Sequence, residues 1–268
     1  YFLHLAQEAD SARNSPQHMA LVDALVAESD NLQAALAWLI DHDVVEAWRL
    51  AATLEAYWYR RPLRESLRWL TRLTEAGAQA GDGVAPGVRA RVLLILATFQ
   101  SSLGETMKLL HGVLALARAG DERRITAVVL AMLGNEGLIT GEFGQSDAYF
   151  DEALALAKAA GDKATLSTVL AERGESERYQ GRYDRATALY TESLALAQAI
   201  GRTDLAAGIL AALAKLALRQ GDPLRARAVI EPTLPVWTAL NDRIGLGTAQ
   251  VSVARAAICG SCPAHQPD

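Results

Sequence analysis

Apolar residues recur along this chain every three or four positions, and the pattern itself recurs at a longer interval. Ala186, Leu189, Tyr190, Leu194 and Ala197 fall on one face of a helix. Gly201 predicts its end, because a left-handed residue after a helix costs least without a Cβ. A second helix is expected from about Asp204 to Arg219, closing at Gln220-Gly221. The same two-helix unit is written again in register: Gly141, Gly181 and Gly221 align, as do Leu154, Leu194 and Leu234, and Gly161, Gly201 and Asn241. A period of forty residues signals a solenoid, since neither amphipathic helix buries its stripe alone and successive copies must stack. Ala186, Ala188, Ala195 and Ala197 permit close helix approach. The expected fold is all-α, an array of antiparallel helix pairs.

Residues 1–43 precede the repeats as a helical lead-in. Tyr1 to Ala9 reads as a helix ended by Asp10, and Asn14-Ser15-Pro16 as the start of another, with a capping side chain before a first-turn proline. Ser29-Asp30 should open a third. The solenoid then occupies residues 44–260, with repeats from about Val44 to Ala78, Gly87 to Ala119, and onward in the forty-residue frame, followed by a polar tail at 261–268. Gly81-Asp82-Gly83 with Pro86-Gly87 reads as a loop between repeats. GVLALARAGDER (112–123) echoes EALALAKAAGDK (152–163) with its Gly-Asp one residue early. Pro223 suits a helix start, whereas Pro232 and Pro235 fall inside a helix and should break or kink it, at about 3 kcal/mol or more otherwise. One helix from Ile244 to Ile258 is left without a partner.

With Gly181 at the turn within a repeat, Tyr183, Ala186 and Tyr190 resemble the turn aromatic, small residue and second aromatic of the tetratricopeptide repeat. Leu133-Gly134, Phe143, Phe150 and Ala153 match in the copy before. The resemblance implies a right-handed superhelix, although forty residues replace the family's usual thirty-four and its first-helix Trp and closing Pro are missing. Over residues 1–75 the likeness is narrower. Glu28-Ser29-Asp30-Asn31-Leu32 with Ala34-Ala35-Leu36-Ala37-Trp38, and Trp58-Tyr59 with Leu63-Arg64-Glu65 and Arg68-Trp69-Leu70, are similar to the start of the repeat domain in bacterial signal-transduction ATPases. These include LuxR-type transcription regulators related to the maltotriose-responsive activator. That resemblance implies a sensor module, preceded in its family by an ATPase domain. No G-x-x-x-x-G-K-[ST] occurs in this chain. The opening Tyr1-Phe2-Leu3, already apolar and without Met, suggests a piece of a longer protein.

Composition narrows the chemistry. A formal charge of −5 and pI near 5.6 argue against direct nucleic-acid binding. No apolar run approaches the roughly 18 residues of a membrane span, and no signal peptide is present, so a cytoplasmic setting is expected. Cys259 and Cys262, with His265, offer fewer ligands than the four of a structural zinc site and read as incidental thiols. His4, His18, His42 and His111 are scattered, and no nucleophile sits in a recognisable elbow. Neither catalysis, a cofactor nor a metal is expected.

Aligning the repeats places one column of first-helix residues on the concave face: Glu55, Thr98, Asn135, Glu175, Lys215 and Arg255. Beside it run Trp58, Ser101, Leu138, Arg178 and Leu218, and then Tyr59, Ser102, Ile139, Tyr179 and Arg219. The groove would be acidic and aromatic toward one end and basic toward the other. An extended peptide whose carboxylate meets Lys215, Arg219 or Arg255 would fit it. So would a small polar effector stacked on Trp58 and Tyr59. The readings that follow are a sensor module contacting other domains of its own chain, a stand-alone peptide-binding scaffold, or a spacer whose polar residues merely solvate an exposed face.

Overall fold

The helices stop where the backbone turns left-handed. In the computed structural model, which describes residues 1–79, 83–99, 103–140, 143–240 and 243–260, Gly161, Gly181, Gly201 and Gly221 have φ of +65°, +75°, +69° and +78°. At Gly201 the following N–H, that of Arg202, reaches back to the Ala197 carbonyl at 3.0 Å, satisfying an otherwise orphaned acceptor. Arg182 and Asp222 repeat the bond onto Glu177 and Ala217, each at 2.9 Å. The copy whose Gly-Asp arrives early uses Asp121 in that position, at φ +50°. Gly120 is held for another reason: a Cβ there would lie 2.7 Å from the Gly87 backbone nitrogen, so the two segments approach backbone to backbone.

The lead-in comprises α1 (Phe2–Ser11), a 3₁₀ turn (Ala12–Asn14), α2 (His18–Ala27) and α3 (Ser29–His42). The first repeat is α4 (Val44–Thr53) and a short α5 (Glu55–Arg60), paired with α6 (Leu63–Gln79). Next come α7 (Pro86–Thr98) with α8 (Leu103–Ala119), α9 (Arg123–Thr140) with α10 (Phe143–Ala160), and α11 (Lys163–Tyr179) with α12 (Tyr183–Ala199). The fifth pair is α13 (Thr203–Arg219) with α14 (Pro223–Ile230), which passes through a 3₁₀ turn (Glu231–Thr233) into α15 (Leu234–Ala239). That turn carries Pro232 and lies just before Pro235, where the missing N–H groups break the helix. The last helix, α16 (Arg243–Gly260), packs against α14, α13 and α15.

Stacking follows the sequence period. Each first helix packs on its own partner and on the next first helix, as α9 does on α10 and α11. Phe150 and Tyr190, forty residues apart, are fully buried and close over glycines in the same register. A Cβ on Gly134 would meet the Phe150 ring at 2.8 Å, and one on Gly174 the Tyr190 ring at 2.8 Å. The core is a file of clusters along the array rather than one centre. Its first cluster joins Val22, Leu25, Leu32 and Leu36 of the lead-in to Trp48, Tyr57 and Trp58, so the lead-in and the first repeat share one core.

Two local expectations are corrected. The first helix runs on to Ser11, past Asp10. Asn14 does not cap the helix that follows it. Its side chain caps α11 instead, accepting from the Ala164 N–H at 2.8 Å. The loop at 81–82, the turn at Gly141, Ser101, Ser102, Asn241, Cys262 and His265 lie outside the described residues, as do the side chains of Leu138, Ile139 and Cys259.

A candidate ligand cavity under the lead-in segment

Residues 10–18 cross the amino-terminal ends of the inner helices like a strap. Asp10 pairs with Arg91 of α7 at 3.2 Å, and Arg91 also holds Glu122, just before α9, at 2.9 Å. Asn14 caps α11. The Arg13 carbonyl accepts from Arg202 at 2.9 Å, and Pro16 rests on Gly201, where an added Cβ would stand 2.9 Å from the proline Cβ. Arg202 is fixed from its other side by a two-pronged pair with Asp204 at 2.8 and 2.6 Å. His18 is buried at the end of the strap, with Nδ1 2.8 Å from the Ala9 carbonyl. Burial, together with the nearby Arg202 charge, lowers its pKa and keeps it neutral.

Beneath the strap is a cavity of about 490 Å³, within the size range of small-molecule sites. Its walls come from α2, α5, α9, α11, α13 and α15, and most of its surface is apolar, with Met19, Val22, Val128, Met132, Leu205 and Trp237 among the lining side chains. Charge enters at named points. Glu55 pairs with Arg124 at 3.0 Å and more loosely with Arg13 at 3.8 Å. Burial works to raise the Glu55 carboxyl, but Arg124 and Arg13 outweigh it and hold it below its ordinary value. Tyr59 opens onto the cavity, bonded to Thr98 Oγ1 at 3.1 Å and packed edge-on against Phe99 at 5.4 Å. Burial raises its phenol, and Glu55 adds to the shift.

Glu172 differs from these groups. It lines the cavity and accepts a hydrogen bond from the Asn135 side-chain amide. Among the described residues no Lys, Arg or His forms an ion pair with it. Burial raises its pKa, only partly offset by Asn135, and the nearby Glu175 carboxylate pushes the same way. The Asn135 Oδ1 is itself buried without a hydrogen-bond partner.

The ten residues expected in the groove are divided by the structure. Glu55 and Tyr59 line the cavity, and Asn135 touches it through Glu172. Trp58 is corrected to the core: it is 2% exposed and its indole N–H donates to the Ala51 carbonyl at 3.1 Å. Glu175 is taken up by Arg178, at 2.8 and 2.6 Å, and by the Tyr190 hydroxyl. Burial would raise its carboxyl, yet these bonds and the Lys215 charge keep it low. Arg178 also stands over the exposed Tyr179 ring at 4.5 Å. Lys215, Arg219 and Arg255 are exposed and do not line the cavity. The acidic end of the groove is therefore neutralised at Glu55 by Arg13 and Arg124. Glu172 has a sequence signal, since it sits one turn before Glu175 on the same inner face. Asp10, Arg13, Asn14 and His18 have no local one.

No protein-family model matches the sequence, and no curated protein does either. Solved structures do. A signal transduction ATPase with numerous domains from Pyrococcus horikoshii, carrying a tetratricopeptide repeat sensor, superposes on 90% of this chain at TM-score 0.57 and 15% identity. The fold is a tetratricopeptide-like solenoid. The match spans 38% of the Pyrococcus chain, so this chain corresponds to less than half of that protein's length. A Rap protein in complex with competence and sporulation factor matches at TM-score 0.53 and 12% identity, over 91% of this chain and 80% of its own. BtubC from P. vanneervenii matches at TM-score 0.52 and 16% identity, over 74% and 88%. At such identities the likeness is one of fold. Among the described residues of the solenoid there is no cluster of side chains suited to a metal, and no helix long and apolar enough to cross a membrane.

Proposed function

We propose that this chain is the sensor module of a larger, cytoplasmic signal-transduction ATPase that regulates transcription, and that its effector is taken up in the cavity beneath residues 10–18. The carrying observation is the strap: a segment remote in sequence ties the inner helices α7, α11 and α13 together over an apolar, partly charged chamber. A ligand enclosed there touches the lead-in and the repeats at once. It therefore favours the strapped arrangement over any arrangement in which the strap is released, and such differential affinity is what regulation requires. Support for a module embedded in an ATPase comes from the Pyrococcus protein, whose repeats have that role by description, and from the likeness of residues 1–75.

A second reading is favoured by the exposed Tyr179, Lys215, Arg219 and Arg255, which would suit a partner protein or peptide on a stand-alone scaffold. The two are separated by a thermal-shift screen of metabolites and peptides on the parent chain and on Thr168→Trp, which fills the cavity from α11. Compounds that raise the parent melting temperature and leave Thr168→Trp unmoved are cavity ligands. Shifts that are equal in both, and lost in Lys215→Glu, move the assignment to the outer surface. The gene upstream of Tyr1 tests the wider claim: a phosphate-binding loop there supports the ATPase assignment, and its absence refutes it.

A further inference from the structure

Among the described residues, every carboxylate that lines the chamber has an arginine partner except one; Arg60, also in the lining, pairs with Asp23 at 3.0 Å and keeps its Nη1 unpartnered. Asp10 has Arg13 and Arg91, Glu55 has Arg124 and Arg13, and Asp204 has Arg202. Glu172 has only a neutral amide. Its carboxylate faces a mostly apolar chamber, and the neighbouring Asn135 Oδ1 is a buried acceptor with nothing to accept. With Glu172 ionised, only the amide NH2 can donate to it, and the oxygen is left as a free acceptor. A carboxylate with one neutral donor, set in a mostly apolar wall, is an unfavourable arrangement unless a cation or a proton joins it.

We infer that the cavity binds a small organic cation with an apolar body, a primary amine whose ammonium sits on the Glu172 carboxylate. This rests on the cavity being the effector site and names the ligand class. The ammonium has three donors, a positive charge and no acceptor, which suits an unpaired carboxylate better than a hydroxyl does. The apolar body has Met19, Val128, Met132 and Leu205 to cover it. An anion is opposed at this wall by Glu172 and by Glu175 beyond it. Along α11, Glu172 lies eight residues past the strap contact at Ala164, or about 12 Å of helix. That accommodates a chain of about six carbons with its charged end at Glu172.

The test uses matched probes differing only in the head group: hexylamine, hexanol and hexanoate, with phenethylamine, phenethyl alcohol and phenylacetate as the aromatic set. Affinities are measured by calorimetry on the parent, on Glu172→Gln and on Thr168→Trp. Gln keeps a carbonyl for the Asn135 amide, and unchanged helical circular dichroism and melting confirm the fold. The amines should bind the parent at least about tenfold more tightly than the alcohols, and that advantage should vanish in Glu172→Gln, as expected for one charged hydrogen bond. Equal binding of amines and alcohols, or amine binding unaffected by Glu172→Gln, overturns the assignment. Preferential binding of the acids, lost in Thr168→Trp, overturns the ligand class while leaving the cavity as the effector site. Binding of no probe overturns the ligand class as well, and the cavity itself then stands or falls with the metabolite and peptide screen.

Discussion

Asn14→Ala isolates the strap with one small change. The Asn14 side chain accepts from the Ala164 N–H at 2.8 Å, in the first turn of α11. The helix keeps its own cap, because Asp162 still accepts from Thr165 N–H at 3.1 Å. The variant therefore removes one bond across a sequence separation of 150 residues and leaves local capping intact. Losing a cap costs about 0.5–2 kcal/mol, and a partly buried donor left unpaired costs about 1–3 kcal/mol. We take about 1.5 kcal/mol, since water can reach a part-buried amide. Arg202 to Arg13 and Pro16 on Gly201 remain, so the strap should loosen rather than detach. In a chain of this length that is a fall in melting temperature of about 3–6 °C. Repeat arrays open locally, so amide hydrogen exchange is the sharper assay. Exchange at Ala164 and in residues 10–18 should accelerate about tenfold, while α8 and α12 stay unchanged. Parent-like exchange in the first turn of α11 would refute the strap as an energetic link. Equal acceleration in every helix would refute its being local.

Other outcomes follow from the same contacts. Burial and Arg202 lower the folded pKa of His18, so its neutral form stabilises the fold above the ordinary value of about 6.5, and that stability drains away as pH falls through it. Arg202, Arg13 and Asp204 face it. Melting at about pH 7.5 and about pH 5.5 should show this loss, and His18→Gln should flatten it. Arg124→Met leaves Glu55 with Arg13 alone at 3.8 Å and should cost about 2–3 kcal/mol in urea unfolding, at the lower end for a broken buried pair because Glu55 retains some solvent. Gly181→Ala, with φ +75° but open space for a Cβ, should cost about 1 kcal/mol from the backbone alone. Gly174→Ala should destabilise despite its better helix propensity, because the Tyr190 ring must move. Glu175→Lys strands Arg178 and the Tyr190 hydroxyl and should destabilise by about 2 kcal/mol. Lys215→Glu, at an exposed position, should stay within about 0.5 kcal/mol, making it the cleaner probe of an outer binding surface.

What could be read from the sequence is what is local. Gly161, Gly181, Gly201 and Gly221 punctuate the array because one residue's backbone decides each stop. Pro232 and Pro235 break the fifth repeat for the same reason. The groove column was less legible. Its forty-residue frame holds from Asn135 onward but not at α5, which spans only Glu55–Arg60 between Leu54 and Arg61. There Tyr59 turns toward the cavity and Trp58 toward the core, a distinction that adjacent aromatics do not announce. Glu175 fitted the column, yet Arg178 one turn away neutralises it, and the uncompensated carboxylate is Glu172. The strap was the least legible element. Asn14-Ser15-Pro16 has the grammar of a helix start, and nothing nearby in the chain says that Asn14 serves a helix 150 residues on.

That distant pairing imposes an order on assembly. A solenoid grows by adding each unit to the one before it, so successive repeats can settle as they leave the ribosome. Residues 10–18 are made well before the groups that receive them, at Ala164, Gly201 and Arg202. The nascent chain must carry that segment undocked until the fifth repeat begins, and the chamber is roofed only once both have been made.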